Sequence, residues 1–345
     1  MGEAVDLRVS LGRLSLANPV LAAAGTFGYG VEFHRAVPLD CLGGVITKTI
    51  TLHPRSGNPP PRLVDTPAGM LNSVGLQNVG LEAFLQEKLP ALASLKPAVI
   101  VSVLGESLDE VTTLVQRLDA ASRVDAIELN LSCPNLKTGQ ETGDGGRGLP
   151  EDPPPHAPPA RRELPPGRAR PAPPMVAQDP EATSLMVQAA RRYTTKPLIA
   201  KLSPDVTDLR PIAQAAERAG ADALALGNTF TGMSIDPRTR RSRIGSLTGG
   251  LSGPAIRPLA VYRVWLVHQV VRCPLIGVGG IVGVEDAVEF FLAGATAVAV
   301  GTAHFSNPAA SVTLLNDLRR YCLKHYIPTL RELVGALDHG LDATR

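Results

Sequence analysis

Residues 128–135 read Glu-Leu-Asn-Leu-Ser-Cys-Pro-Asn and set a thiol, Cys133, between two carboxamides, Asn130 and Asn135. The run 125–131 is apolar enough for a buried strand. Pro134 cannot continue a central strand and forces a turn, so the thiol is presented at a strand's carboxyl end. In parallel α/β folds that end is where chemistry gathers. A lone cysteine beside a turn is ordinarily a small core residue. The flanking amides weigh the other way, because buried amides need partners and a ligand supplies them.

Other groups of the same kind recur along the chain. Gly277-Val278-Gly279-Gly280-Ile281 and Gly301-Thr302-Ala303 are two glycine turns, each following an apolar run. Such turns let backbone N–H groups approach phosphate oxygens, and a helix N-terminus beyond them favours the negative charge. Lys48 and Lys201 each end an apolar run, in Ile-Thr-Lys-Thr and Ala-Lys-Leu-Ser-Pro. A strand-end lysine beside a polar pocket suits an anionic or electron-rich ligand, although either one alone is equally well read as snorkelling to solvent. Asn228 and Thr229 add an amide and a hydroxyl, and Asn72-Ser73-Val74-Gly75-Leu76-Gln77 lies in a long loop. There are no paired carboxylates placed for acid–base work, and the seven histidines show no metal-ligand spacing. The inventory suits a phosphate-bearing cofactor with a planar, amide-rich substrate, and leaves cysteine as the obvious proton-transfer group.

These groups need a scaffold that brings strand ends together. Strand-like runs occur at 20–24, 45–48, 98–103, 126–131, 198–202, 223–227, 275–278 and 297–300. Between them lie amphipathic stretches such as 108–118, 180–192, 209–219, 256–271 and 284–293. Eight strands with crossovers predict an α/β fold, a (β/α)8 TIM barrel, preceded by a β-hairpin around Leu11-Gly12. An open doubly wound sheet is the alternative, but the first βα turn lacks its glycine fingerprint. The connections 49–77 and 229–253 are long enough for binding loops on the catalytic rim. The run 139–174 is saturated with Pro, Gly, Arg and Ala; its composition predicts a disordered insertion in the loop after Cys133. The chain 1–345 is expected to form a single barrel domain.

A chain of 345 residues with 44% hydrophobic content can bury a large core, and a net charge of +2 gives no electrostatic case for nucleic acid or an anionic membrane. Four scattered cysteines argue against a zinc or disulfide framework and suit a reducing cytosol. With no apolar run of membrane-spanning length and no signal-like start, a cytoplasmic location is expected.

Taken in order, Thr47–Thr49, Asn72–Asn78, Glu128–Asn135, Lys201–Pro204, Gly227–Thr229, Gly249–Ile256, Gly277–Ile281 and Gly301–Ala303 resemble the dihydroorotate dehydrogenase family. The resemblance runs from about residue 6 to residue 336, broken by the Pro-rich run. Cysteine at 133 resembles the soluble class, since membrane-bound members carry serine there and an N-terminal helical extension. Cys-Pro-Asn-Leu-Lys-Thr-Gly at 133–139 resembles the NAD-dependent branch rather than the fumarate-reducing one.

The resemblance implies oxidation of dihydroorotate to orotate in pyrimidine biosynthesis, with FMN across the barrel mouth and no metal. Its phosphate would be held by Gly279, Gly280, Gly301 and Thr302. Ala24, Gly25, Lys48, Thr49, Asn130, Lys201 and Gly253 would line the flavin, with Ser102 and Gly227 close by. The pyrimidine would meet Lys48, Asn72, Ser73, Val74, Gly75, Leu76, Asn130, Asn135, Asn228 and Thr229. Cys133 would take the C5 proton while hydride passes from C6 to flavin N5. Electrons would go on to NAD through a partner subunit carrying FAD and a [2Fe-2S] cluster, in a heterotetramer built on a homodimer of this chain.

Two positions depart from the family pattern: Ser102 stands where asparagine is usual, and Gly227 where a branched aliphatic is usual. Other readings keep the barrel but change the task. They are a flavin enzyme acting on another dihydropyrimidine or using fumarate, or a non-catalytic flavin-binding subunit.

Overall fold

The computed structural model describes residues 5–33, 37–132 and 176–338. Eight parallel strands close into a barrel in the order expected: Val20–Ala22, Gly44–Ile46, Ala98–Val103, Ala126–Asn130, Leu198–Leu202, Ala223–Leu226, Leu275–Val278 and Ala297–Val300. The strands are buried on both faces because helices cover the outside and side chains fill the inside, so they read as unbroken apolar runs. The second strand ends at Ile46, two residues short of the expected Lys48, although Thr47 N–H still donates to Ile100 C=O at 3.0 Å.

Strand register stacks the inward positions in layers of four contributed by alternate strands. Gly44, Ala126, Ala223 and Ala297 form the lowest layer. These small residues leave room for the predicted hairpin, Val9–Leu11 with Leu14–Leu16, whose Leu11, Leu14 and Leu16 pack into the barrel's inner core. Arg13 on the hairpin turn pairs with Asp222 at 3.3 Å, below the sixth strand. Above lie Leu21, Ile100, Ile199 and Ile276, then Ile46, Glu128, Ala225 and Ala299. The next layer is Ala23, Ser102, Lys201 and Val278. Lys48, Asn130, Gly227 and Gly301 complete the stack at the mouth. The interior therefore changes from apolar to polar toward the carboxyl ends of the strands.

Outer helices follow their local signals. Ser107 caps Leu108–Asp119, accepting from Glu110 N–H at 3.2 Å, and Asp179 caps Pro180–Arg191, whose proline sits where its missing N–H costs nothing. Arg210–Arg218, Arg257–His268 and Val284–Leu292 lie inside their expected stretches. The helix Ala310–Lys324 was not among those expectations; it buries Leu314, Leu315 and Leu318. The long second and sixth connections are not irregular loops. They pair with each other as a four-stranded antiparallel sheet, Leu63–Thr66, Gly69–Asn72, Gly249–Ser252 and Phe230–Gly232, beside the barrel mouth. No helix among the described residues is long and apolar enough to cross a membrane.

Candidate active site

A cavity of about 760 Å³ opens at the carboxyl ends of the barrel strands. Its walls come from residues far apart in sequence. Ala24, Gly25, Lys48 and Thr49 enter from the first two strand ends, Asn130 from the fourth and Lys201 from the fifth. Gly227, Asn228 and Thr229 follow the sixth strand. Gly253, Gly279, Gly280, Gly301 and Thr302 form the opposite wall, and Asn72 to Leu76 reach in from the small sheet. Ser102 is placed differently from these: it is fully buried in the layer below, where its hydroxyl meets Thr49 Oγ1 at 2.9 Å. It therefore supports the cavity wall through Thr49 and does not line it. Cys133 and Asn135 lie outside the described residues, as does the run 139–174.

Polar side chains in the cavity are held in place by hydrogen bonds. Asn130 Nδ2 donates to Thr49 Oγ1 at 3.3 Å, and Asn130 Oδ1 accepts from Ser132 N–H at 3.3 Å. Asn228 Oδ1 accepts from Thr229 N–H at 2.8 Å. Asn72 Nδ2 donates to Gly250 C=O at 3.0 Å, pinning the loop strand beside the mouth, while Ser73 Oγ accepts from Asn58 Nδ2 at 2.7 Å. Gly75 and Leu76 both have positive φ, 70° and 54°, so the chain turns sharply where it faces the cavity. That conformation is strained for leucine, and such strain is concentrated at binding sites.

The two lysines dominate the electrostatics. Lys201 is 7% exposed and Lys48 half-buried, and neither has an ion-pair partner among the described residues. Burial, with the like charge of Lys201 adding to it, pushes Lys48 below the ordinary lysine range. With no ion pair to either ammonium group among the described residues, both are open to an anion or electron-rich oxygen of a bound ligand.

On the far wall, a phosphate has the cradle it requires. Gly280 has φ of 72°, and a Cβ there would lie 2.9 Å from Gly253 C=O and 2.9 Å from Arg257 N. The turn is therefore held so tightly that only glycine's backbone fits, with its face open to the cavity. Gly227 is a second obligate glycine, since a Cβ there would come within 2.0 Å of Val278 C=O. A branched aliphatic side chain would not fit this backbone. Cavity dimensions, unpaired cations and glycine cradle together fit a flavin mononucleotide, a planar ring ending in a phosphate.

Several lining residues were not singled out as site residues from the sequence, although three of them, Ser132, Ser203 and Ser252, stand inside its motifs. Ser132, Ser203 and Asp205 follow strand ends, and Thr231 and Ser252 stand on the small sheet. Asp205 Oδ2 accepts from Thr231 Oγ1 at 2.6 Å and ties the fifth connection to the sixth. For Asp205 the hint was a Ser-Pro-Asp turn after a strand. Glu128 was quoted only as part of its motif, yet it is a wholly buried carboxylate facing the barrel interior.

Comparison with known proteins agrees with this architecture. The family model for dihydroorotate dehydrogenase matches residues 6–147 and 170–321, and the break between them falls inside the Pro-rich run. The dihydroorotate dehydrogenase B (NAD(+)) catalytic subunit of Citrifermentans bemidjiense is 44% identical over 333 residues, covering 96% of this chain and 98% of its own length. The proteins of the same name from Geotalea daltonii and Pelobacter propionicus are each 46% identical, over 332 and 333 residues. They too align with 96% of this chain, and with 98% and 99% of their own lengths. With the barrel, the mouth cavity and the motif order all in agreement, the chain belongs to the dihydroorotate dehydrogenase family.

Proposed function

We propose that this chain is the catalytic subunit of an NAD-linked dihydroorotate dehydrogenase, oxidising dihydroorotate to orotate on FMN in pyrimidine biosynthesis. The observation that carries the reading is the convergence of two unpaired lysines, a glycine cradle and three asparagines on one cavity at the barrel mouth. The whole chain is read as one barrel domain, with 139–174 an insertion in its loop. A cytoplasmic location goes with this reading and is supported by the scattered cysteines, of which Cys41, Cys273 and Cys322 are free.

FMN, when bound, supplies the acceptor for the hydride leaving C6 of the substrate. The protein's part is to grip, align and deprotonate. Gly279, Gly280, Gly301 and Thr302 would hold the phosphate, their backbone N–H groups being the donors available on that wall. Lys201 and Lys48 place positive charge on the cavity floor and would favour an electron-accepting group bound above them. Asn72, Asn130, Asn228 and Thr229 offer donors and acceptors at fixed angles to a planar ring rich in amides, and a carboxylate on that ring satisfies Lys48. Asn130 and Asn228 are themselves oriented by Thr49 and Ser132. Cys133, adjacent in the chain to cavity-lining Ser132, is the base for the C5 proton.

Electron transfer to NAD needs a second subunit in this reading, one carrying FAD and a [2Fe-2S] cluster on a homodimeric core of this chain. The support is the name "catalytic subunit" borne by the relatives. The test is anaerobic mixing of the purified yellow protein with dihydroorotate, followed by NAD and fumarate assays with and without the partner subunit. Bleaching of the flavin by dihydroorotate but not by dihydrouracil, with NAD reduction only when the partner is present, is the expected result. A protein that takes up no FMN, or whose flavin ignores dihydroorotate, removes the reading.

A further inference from the structure

Glu128 is 0% exposed, and neither carboxylate oxygen has a hydrogen-bond partner among the described residues. A wholly buried carboxylate without a donor is strongly disfavoured unless positive charge is near. Strand register shows where that charge is. Glu128 lies opposite Ser102 on one neighbouring strand and Ile199 on the other. It belongs to the inward layer directly beneath the one holding Ser102 and Lys201, and two layers further from the mouth than Asn130 and Lys48. The other members of its own layer are Ile46, Ala225 and Ala299. The two alanines leave space at that level, and none of the three can donate a hydrogen bond.

Charge bookkeeping over the interior is simple. Of the inward positions on the eight strands and at their carboxyl ends, Lys48, Lys201 and Glu128 are the charged ones; the rest are glycine, alanine, valine, leucine, isoleucine, Ser102 and Asn130. Asp65 and Asp205 also reach the cavity, but from the small sheet and the fifth connection, above the strand layers. Two ammonium groups thus stand over a single carboxylate in a medium where opposite charges act over several ångströms. We propose that Glu128 is the buried counter-charge of the lysine pair, a positioning residue that acts through Lys201 and offsets the positive field under the flavin. This deepens the FMN reading above and rests on it.

Its consequence concerns the cofactor's equilibrium rather than the chemical groups that touch substrate. Reduced flavin carries a negative charge that the oxidised ring lacks, so a carboxylate beneath the lysines disfavours the reduced form. Glu128→Gln keeps the shape and removes the charge. In the FMN-loaded full chain, the midpoint potential of Glu128→Gln is expected to rise by a tenfold or greater shift in the oxidised-to-reduced ratio, ~30 mV for two electrons. The potential is read by equilibration with a reference dye, independently of turnover. The same substitution made on Lys201→Met is expected to shift the ratio less than threefold, because the carboxylate acts through that lysine.

An unchanged or lowered potential in Glu128→Gln overturns the proposal and leaves Glu128 a neutral filler of the space beside Ala225 and Ala299. Equal shifts in the wild-type and Lys201→Met backgrounds overturn the route through Lys201. Should Glu128→Gln fail to fold, the double variant Glu128→Gln/Lys201→Met decides. Recovery of soluble, flavin-binding protein supports a charge pair, and continued failure overturns it. Wild-type protein that binds no FMN contradicts the functional reading instead, so the two failures are distinguishable.

Discussion

Asn228 Nδ2 donates to Ser132 Oγ at 2.8 Å, joining the end of the sixth barrel strand to the residue immediately before Cys133. The bond spans two strand ends on the rim and leaves Asn228 Oδ1 facing its own Thr229 N–H. It couples an amide of the cavity wall to the residue before the proposed base. Asn228→Ala breaks the tether and removes one amide from the cavity. The expected outcome is a ~10- to 100-fold loss in kcat/KM for dihydroorotate, the range for one or two buried hydrogen bonds, with FMN retained. Steady-state kinetics on flavin-saturated enzyme checks it; a loss confined to flavin content would place Asn228 with the cofactor instead.

Cys133→Ser tests the base itself. An ordinary thiol has a pKa near ~8.5, so the wild-type rate of flavin bleaching should rise with pH as thiolate forms. Serine is far less acidic. The variant should bind FMN and orotate normally but reduce its flavin ~10²- to 10⁴-fold more slowly at neutral pH. Stopped-flow bleaching is the measurement, and wild-type rates in the variant would take Cys133 out of the mechanism.

His304 sits behind the phosphate cradle, 3% exposed, with Nε2 on Ser311 Oγ at 2.7 Å and its ring against Phe27. Burial lowers its pKa to about 4. An unfolded chain takes up this proton near the ordinary histidine value of 6.5, whereas the folded one does so only near 4. Stability is therefore complete above about 6.5 and falls as the pH drops toward 4, by up to ~3 kcal/mol from this residue. Urea unfolding from pH 7.5 to 4.5 should show that slope, and His304→Asn should flatten it. Identical slopes in the two proteins would assign the acid sensitivity elsewhere.

Gly227→Val places a branched aliphatic side chain at the end of the sixth strand and should be harmful here. The backbone has φ of 138°, and a Cβ would sit 2.0 Å from Val278 C=O. Strain at such a position costs about 1–3 kcal/mol and the clash adds to it. A lowered urea midpoint with weaker FMN retention is expected. An unperturbed midpoint would mean that the sixth strand end adapts at little cost.

What could be read directly from the chain was whatever had local cause. Eight apolar runs alternating with amphipathic stretches predicted the barrel because strands buried on both faces leave that pattern. The hairpin was visible in the alternation of residues 7–16. Lys48, Lys201 and the glycine turns stood out because cations and paired glycines at strand ends conflict with local burial or propensity, and the structure sets them around one cavity. Lys48 was off by two residues as a strand end, since a pattern marks burial and not where ladder pairing stops.

Other features needed the tertiary structure because their cause is distant in sequence. Asn72 and Gly250, hydrogen-bonded across the small sheet, are 178 residues apart, and no local periodicity shows that two glycine-rich loops will pair. Ser102 looked like a flavin neighbour by its place in the motif order. Barrel shear puts it one layer below the mouth, where it holds Thr49. Glu128 looked like one charge in a strand-end motif. Only the stagger of neighbouring strands sets it beneath Lys201, because which inward residues share a layer is decided by closure of the whole barrel, a property of all eight strands together.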